Sequence, residues 1–268
     1  MPPTESGILF STLLPLVLLI ASCASKPIAT RRVPRVGDAD FPKENRASRH
    51  LEKVNQVKAG KYDLVFIGDS ITHTLGDMPG TIYEPLKEVW DRHFAAWRAI
   101  NLGHNGFRTE EILWNLMNEE LEFNPSPKVV VLLIGTNNTD DRNFSHVHTS
   151  QHVAEGTGAI VSLIRQKHPS TKILILRIFP RGGDAQQGFA ARVFHASPQC
   201  IETCRDAGLL TRRLADRKKV FWKDIGAVLL RSNGSISTDR MPDLLHPNQA
   251  GAEAWVQAIE PELTRWLD

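Results

Sequence analysis

Cysteine is scarce in this chain: 268 residues include 3 cysteines. Apart from Cys23, they form one C-x3-C pair, Cys200 and Cys204. On a helix this spacing points both thiols the same way, but helical geometry rarely suits a disulfide. Two thiols without neighbouring His or Cys partners are also too few for a structural zinc site. We therefore interpret the pair as structural.

The chain also lacks an excess of charge, because 32 basic residues face 30 acidic ones and the formal net charge is +2. Nucleic-acid-binding proteins usually concentrate basic charge on one face. The near balance argues against such a partner. It is neutral about catalysis, so the function has to be sought in individual motifs.

No apolar run is as long as the roughly 20 residues that a transmembrane helix needs. Residues 8–22 (ILFSTLLPLVLLIAS) are uncharged but shorter, which is typical of a signal-peptide core. The tetrad that ends in Cys23, IASC, resembles the lipobox of bacterial lipoproteins. It predicts a signal peptide over 1–22 and a lipid-anchored tether over 23–45, in an exported protein of the bacterial cell envelope. The first residues, MPPTESG, carry no Lys or Arg, unlike a usual signal peptide, so an uncleaved membrane anchor is the alternative.

Residues 46–268 alternate between helical and strand patterns and predict one α/β domain. Continuous apolar runs of strand type separated by helices indicate a parallel sheet covered on both faces. We expect a three-layer α/β/α sandwich with five strands in the order 2-1-3-4-5. Strands are predicted at 62–67, 97–102, 128–134, 172–179 and 220–225, and helices at 46–59, 109–121, 153–167, 200–215 and 247–266.

Polar clusters follow the first three predicted strands. They are GDS at 68–70, GHNG at 103–106 and GTNN at 135–138, and a fourth cluster, DLLHP at 243–247, precedes the last helix. In open α/β sheets ligands bind at the carboxyl ends of the strands, near the point where strand order reverses. With the expected strand order, the first three clusters converge at that point.

These clusters contain the groups that acyl transfer needs. A serine hydroxyl is a weak nucleophile and requires an adjacent base. His246 can accept the proton of Ser70, and Asp243 can hold the other ring nitrogen of the histidine. Candidate donors to a negatively charged oxygen are the N–H groups of Ser70 and Gly106 and the side-chain amide of Asn137.

Together these blocks resemble the SGNH (GDSL-like) hydrolase family. GDSI at 68–71, NxGxxG at 101–106, GTNN at 135–138 and DLLHP at 243–247 match its four sequence blocks in order. LWNL at 113–116, KVVVLLIGTNN at 128–138 and MPDLLHPN at 241–248 are similar to bacterial relatives of the platelet-activating-factor acetylhydrolase catalytic subunits. The resemblance implies a flavodoxin-like sheet, a Ser70–His246–Asp243 triad, an oxyanion hole of Ser70, Gly106 and Asn137, no metal or other cofactor, and an ester substrate. A small-molecule or a carbohydrate ester, with a short acetyl-type acyl group, is the expected one.

Two parts of the chain depart from the family pattern. Phe107 follows Gly106 where relatives often have Asp, and residues 181–215 do not follow the pattern of relatives. Because the second segment comes directly after the fourth predicted strand, we expect it to line the acyl or alcohol pocket.

Other functions fit the sequence less well. The G-x-S-x-G pentapeptide of α/β-hydrolases does not occur, and no Lys follows GDS as phosphate binding would require. His146, His148 and His152 offer a metal site, but no carboxylate pattern accompanies them. The remaining alternative is a glycan- or envelope-binding lipoprotein that uses a hydrolase fold without catalysis. A protein of that kind is expected to have lost at least one of the five site residues, whereas all are present here.

Overall fold

The computed structural model describes residues 46–78, 80–82, 85–144, 146–182 and 196–268. The predicted signal peptide at 1–22, the tether at 23–45 and its Cys23 lie outside the described residues. Within the described ranges, no helix combines the length and the apolar character that crossing a bilayer requires.

Five parallel strands form one sheet, in the order β2-β1-β3-β4-β5. This confirms the predicted order and fold class. Residues in β1 and β3 are buried along their whole length, because both faces of the sheet are covered. The strands are β1 (Leu64–Gly68), β2 (Ala99–Gly103), β3 (Val129–Leu133), β4 (Lys172–Leu176) and β5 (Val220–Lys223).

Helices cover both faces and create two separate cores. Alternate residues of β1 divide between them: Phe66 packs with Trp255 and Phe94 on one face, and Ile67 packs with Ile112 and Ile160 on the other. The result is the expected three-layer sandwich. The helices are α1 (Arg46–Ala59), α2 (Ser70–Thr74), α3 (Leu86–Phe94), α4 (Thr109–Asn115), α5 (Ser150–Lys167), α6 (Pro198–Leu210) and α7 (Gln249–Leu267).

The structure corrects several predicted boundaries. The helix predicted over 109–121 stops at Asn115, and a distorted turn follows in which Glu119 has a φ of 82°. The last helix was expected to carry Pro247 in its first turn. That is wrong, because the side chain of Asn248 caps the helix by accepting a hydrogen bond from the N–H of Gly251, so that Pro247 precedes the cap.

The other differences are at element ends and at α3. Trp97 lies in a tight helical turn before β2 rather than in the strand, and β4 ends at Leu176 rather than at Phe179. Helix α6 begins at Pro198 and ends at Leu210, with a tight turn following it. No element was predicted where α3 lies.

Candidate active site

Ser70 lies at the carboxyl end of β1 and is the first residue of α2. The side chain of Asp69 caps this short helix by accepting a hydrogen bond from the N–H of Ile71 at 3.0 Å. The amide of Asn101, on β2, donates to the carbonyl oxygens of Thr72 and Leu75 at 2.7 and 2.8 Å. These contacts fix both ends of the helix against the sheet, and so they fix the position of Ser70.

The loop before α7 brings His246 and Asp243 to Ser70. Oγ of Ser70 lies 2.9 Å from Nε2 of His246, and Nδ1 of His246 donates to Oδ2 of Asp243 at 2.7 Å. The other oxygen of Asp243 accepts from the N–H groups of Leu245 and His246 at 2.9 and 2.7 Å. The carboxylate therefore orients both the imidazole ring and the loop that carries it.

Electrostatics keep Asp243 ionised. Burial raises the pKa of Asp243, but the hydrogen bond and charge of His246 and two backbone N–H donors outweigh that effect, so its pKa lies below the ordinary value. A charged Asp243 holds the proton on Nδ1 of His246, and Nε2 is then left to accept a proton from Ser70.

The predicted oxyanion donors lie on the same cavity as Ser70 and His246. Gly106 has a φ of 69°, a left-handed conformation that favours glycine. Nδ2 of Asn137 donates to the main-chain carbonyl of Phe107 at 2.8 Å, and thus links the loop after β3 to the loop after β2. The N–H of Ser70 belongs to the first turn of α2, where no intrahelical acceptor exists.

Asn138 makes a second link between these two loops, which the sequence did not point to. Its Oδ1 accepts from the N–H of Thr109 at 3.0 Å, and its Nδ2 lies 3.0 Å from both Oγ1 of Thr109 and Oε2 of Glu110. The side chain is completely buried. Its position beside Asn137 in GTNN was a possible signal, since Asn side chains commonly bridge backbone segments.

A buried polar cluster surrounds His104, the residue that precedes Asn105 and Gly106 in the chain. Nε2 of His104 lies 2.9 Å from Oε1 of Glu120, which also contacts Nδ1 of His50 at 2.8 Å. Burial raises the pKa of Glu120, yet the charges and hydrogen bonds of the two histidines lower it below the ordinary value overall. The ring of His104 also stacks on Phe107 at 4.9 Å. Glu120 reaches this position because the chain leaves helical geometry after Asn115.

Asp69, next to the nucleophile, has an unusual acidity. Complete burial raises its pKa to about 7, although the Ile71 N–H, His246 and Arg181 all act in the opposite direction. The carboxyl group is therefore protonated over much of the acid range.

The cavity at the site is small and has a buried floor and a more open rim. Its volume is about 110 Å³, against roughly 300–1,000 Å³ for sites that enclose drug-sized ligands. The floor consists of Ser70, Thr74, Gly106, Asn137, Asp140, Leu245 and His246, which are all buried, and the rim consists of Met78, Asn105, Asn143 and Phe144, which are partly exposed.

Of the segment expected to line the pocket, residues 181–215, the structure describes 181–182 and 196–215, and none of these described residues lies on the wall of the cavity. The guanidinium of Arg181 is buried, donates to the carbonyl of Thr136 at 3.2 Å and lies 3.3 Å from Oδ2 of Asp140. Gly182 donates its N–H to the carbonyl of Leu244, on the loop of His246, at 3.0 Å.

The histidines considered for a metal site have other contacts. His148 is buried beside the guanidinium of Arg108, with Nδ1 at 3.1 Å from Nδ2 of Asn138. Burial and the nearby charges of Arg108 and His152 lower its pKa to about 4. The positive charge of the Arg108 guanidinium repels a metal cation at this position. Among the described residues, no group of three or more His, Cys, Asp or Glu side chains has an arrangement that could hold a metal ion.

Cys200 and Cys204 are free thiols, and both are buried on α6. Burial raises the pKa of each, for Cys204 to about 11. They fill the space between α6 and the loop after β3 and are not bonded to each other, in line with the geometry of the i,i+4 spacing.

The GDSL-like lipase/acylhydrolase family matches residues 66–254, which contain Ser70, Asp243, His246 and every described residue of the cavity wall. This chain therefore belongs to that family and is an ester-hydrolysing enzyme. It is 30% identical to the platelet-activating factor acetylhydrolase IB subunit alpha1 of Homo sapiens over 244 residues, 91% of this chain and 90% of the relative. It is 32% identical to the alpha2 subunit of Rattus norvegicus over 204 residues, 76% of this chain and 77% of the relative.

Solved structures share the fold at lower sequence identity. A GDSL-like lipase from Bacteroides thetaiotaomicron superposes with a TM-score of 0.60 at 15% identity, over 81% of this chain and 98% of that one. A carbohydrate acetylesterase family member from Sinorhizobium meliloti superposes with a TM-score of 0.56 at 20% identity, over 76% of this chain and 98% of that one. At these identities the likeness establishes the fold alone.

Proposed function

We propose that this enzyme is a serine esterase that removes short acyl groups, acetyl above all, through a Ser70–His246–Asp243 triad and an acyl-enzyme intermediate. The observation that carries the proposal is the continuous hydrogen-bonded chain from Oγ of Ser70 through both ring nitrogens of His246 to Asp243, with distances of 2.9 and 2.7 Å. The first distance lets a proton pass from the nucleophile Ser70 to its base His246, and the second lets Asp243 orient that base.

The reaction has two halves. Oγ of Ser70 attacks the ester carbonyl while Nε2 of His246 takes the hydroxyl proton, and the carbonyl oxygen becomes negative. The intermediate collapses as the C–O bond to the alcohol breaks, and His246 gives its proton to the departing alkoxide. Water then attacks the acyl-Ser70 carbonyl with His246 as base, which releases the acid and regenerates the serine.

The negative oxygen requires fixed donors, and three groups of the cavity supply them. These are the N–H groups of Ser70 and Gly106 and the amide of Asn137. One hydrogen of the Asn137 amide donates to Phe107, so that the side chain is held in place and its second hydrogen is available to the oxyanion. Donors fixed before the reaction stabilise the developing charge without the cost of reorganising them.

The small volume of the cavity supports a short acyl group. About 110 Å³ admits the ester group and a small acyl chain but no long one, and the buried side chains of Thr74 and Leu245 form its floor. The names of the relatives agree with this, because both specify an acetylhydrolase.

A panel of p-nitrophenyl esters from acetate to dodecanoate tests the proposal. We expect kcat/KM to be highest for acetate and to fall steeply with chain length. Ser70→Ala should abolish hydrolysis while keeping the melting temperature, and Ser232→Ala, at an exposed serine outside the cavity, should have wild-type activity. A folded Ser70→Ala protein with most of its activity would refute the triad. A wild type that binds acetylated glycan without turnover would favour the non-catalytic alternative.

We also propose that the chain is exported and anchored in the cell envelope through a lipid on Cys23. The support is the sequence of residues 8–23 alone. A single acyl chain binds membranes only marginally, so a stable anchor needs more than one. Mass spectrometry of the mature protein should give Cys23 as a lipid-modified first residue, and Cys23→Ser should release the protein or leave the precursor uncleaved. An intact Met1 with unmodified Cys23 would refute this.

A further inference from the structure

We propose that the side-chain amide of Asn105 binds a hydroxyl group on the alcohol part of the ester, and that this alcohol is a neutral, hydroxylated one such as a sugar. The inference rests on the proposed function, because it names the substrate class of the same site. Its basis is the position of Asn105 on the cavity rim, together with what the other polar side chains of the wall bind.

Each other polar side chain of the described wall already has a protein partner. The hydroxyl of Ser70 contacts His246, that of Thr74 donates to the carbonyl of Ile71 at 3.1 Å, and the amide of Asn137 donates to Phe107. The amide of Asn105, in contrast, forms no hydrogen bond within the part of the chain that the structure describes. Asn105 is therefore the wall residue whose whole side-chain amide is available to the alcohol part of a substrate.

The carboxylate of Asp140, which is also on the cavity wall, has its hydrogen-bonding positions occupied by protein groups. Oδ1 of Asp140 accepts the N–H groups of Arg142 and Asn143 at 3.0 Å each, and Oδ2 accepts Nδ2 of Asn143 at 3.0 Å and lies 3.3 Å from Arg181. Burial raises the pKa of Asp140, but Arg181 and these donors bring it below the ordinary value. The group is thus a fixed anion whose lone pairs are occupied.

The depth of each group decides which part of the ester it meets. Ser70, Asn137 and His246 are 4, 7 and 5% exposed and form the floor where the carbonyl must lie. Asn105 precedes Gly106 and lies on the partly exposed rim. Since a cavity of about 110 Å³ is filled by the ester and a short acyl group, the alcohol has to leave across the rim. There it meets the amide of Asn105 and the ring of Phe144.

The chemical groups at the rim indicate which kind of alcohol binds there. A primary amide offers two donors and an acceptor, and a hydroxyl group both donates and accepts, so the two are complementary without charge. The described wall residues include no Lys or Arg, so the described wall offers no cation to pair with an alcohol that carries phosphate. An aromatic side chain beside an amide presents an apolar face and a polar group together, as a sugar ring also does.

The test compares three acetate esters that share the acyl group. They are p-nitrophenyl acetate, whose alcohol has no further hydroxyl, a monoacetylated methyl xyloside, and a dispersed glycerophospholipid with an acetyl ester. The variants are Asn105→Ala and Asn105→Ser, with Asn233→Ala as a matched control, because Asn233 is exposed and lies outside the cavity wall. Activity on p-nitrophenyl acetate reports that each variant is folded and that its triad is intact.

We expect Asn105→Ala to lower kcat/KM for the xyloside about three- to tenfold, as the loss of one hydrogen bond predicts, and to change p-nitrophenyl acetate hydrolysis less than twofold. Asn105→Ser should have an intermediate effect on the xyloside, and Asn233→Ala should have none. Equal losses on both soluble esters, or no loss on the xyloside, would overturn the inference. So would a wild type that prefers the phospholipid. A wild type without activity on any acetate would instead refute the proposed function itself.

Discussion

Asn137 donates its side-chain amide to the main-chain carbonyl of Phe107 at 2.8 Å, across the gap between the loops that follow β3 and β2. The contact is not made within the Gly135–Thr136 turn, where a turn-capping asparagine would bond. It places the amide of Asn137 on the same cavity as Gly106 and Ser70. An amide so fixed can donate its second hydrogen to the oxyanion.

Asn137→Ala should therefore lower kcat by about two to three orders of magnitude and change KM much less. The reason is that the lost bond strengthens only as charge develops in the transition state. Measuring kcat and melting temperature on the same preparation separates this from a structural role. If the variant is destabilised while kcat per folded molecule is unchanged, Asn137 does not act on the oxyanion.

Asn138→Ala should destabilise the protein by about 1–3 kcal/mol, because the buried N–H of Thr109 loses the acceptor Oδ1 and the carboxylate of Glu110 loses one of its hydrogen-bond donors. Urea denaturation gives the change in free energy of unfolding, and Asn233→Ala serves as the exposed control. We also expect kcat to fall, since the link between the two loops of the site is lost. An unaltered free energy of unfolding would show that the contacts of Asn138 contribute no stability.

Asp69→Asn should change how stability depends on pH. The pKa of Asp69 rises on folding from 3.8 to about 7, so the folded state binds this proton more tightly than the unfolded state. The free energy of unfolding of the wild type should then fall, relative to the variant, as pH rises from about 4 to 7, and the difference should be constant above that range. Asn keeps the oxygen that accepts from Ile71, so the helix cap is retained.

Urea denaturation of wild type and Asp69→Asn at several pH values checks this, with Asp239→Asn at an exposed aspartate as control. Parallel curves for wild type and Asp69→Asn would mean that burial of Asp69 does not perturb its proton binding.

Much of the fold followed from the sequence because its strands are buried on both faces. A run such as VVVLL in β3 has no polar interruption, so its type and its neighbours were clear. Helix α3 was missed although Leu86, Val89 and Phe94 are buried at helical spacing. The charged residues between these positions and the short length of the helix weakened the helical pattern in the sequence. The distorted turn after Asn115 could not be foreseen, because it depends on the distant contact between Glu120 and His104.

Only some residues of the site could be predicted from the sequence. Ser70, His246 and Asp243 could be named because acyl transfer needs these groups and each lies beside a strand end or a helix start. The roles of Asn138, Glu120 and Asn105 depend on which side chains meet in space. Because those positions depend on residues that are distant in the sequence, local sequence patterns do not predict them.

The most direct test of the central claim is to find which residue an active-site-directed fluorophosphonate modifies. The reagent forms a stable bond with a serine that an adjacent histidine activates. Intact-mass measurement and peptide mapping should give one adduct, on Ser70, formed in step with the loss of esterase activity, and none on Ser70→Ala. Loss of activity with the adduct on another residue, and Ser70 unmodified, would contradict the account.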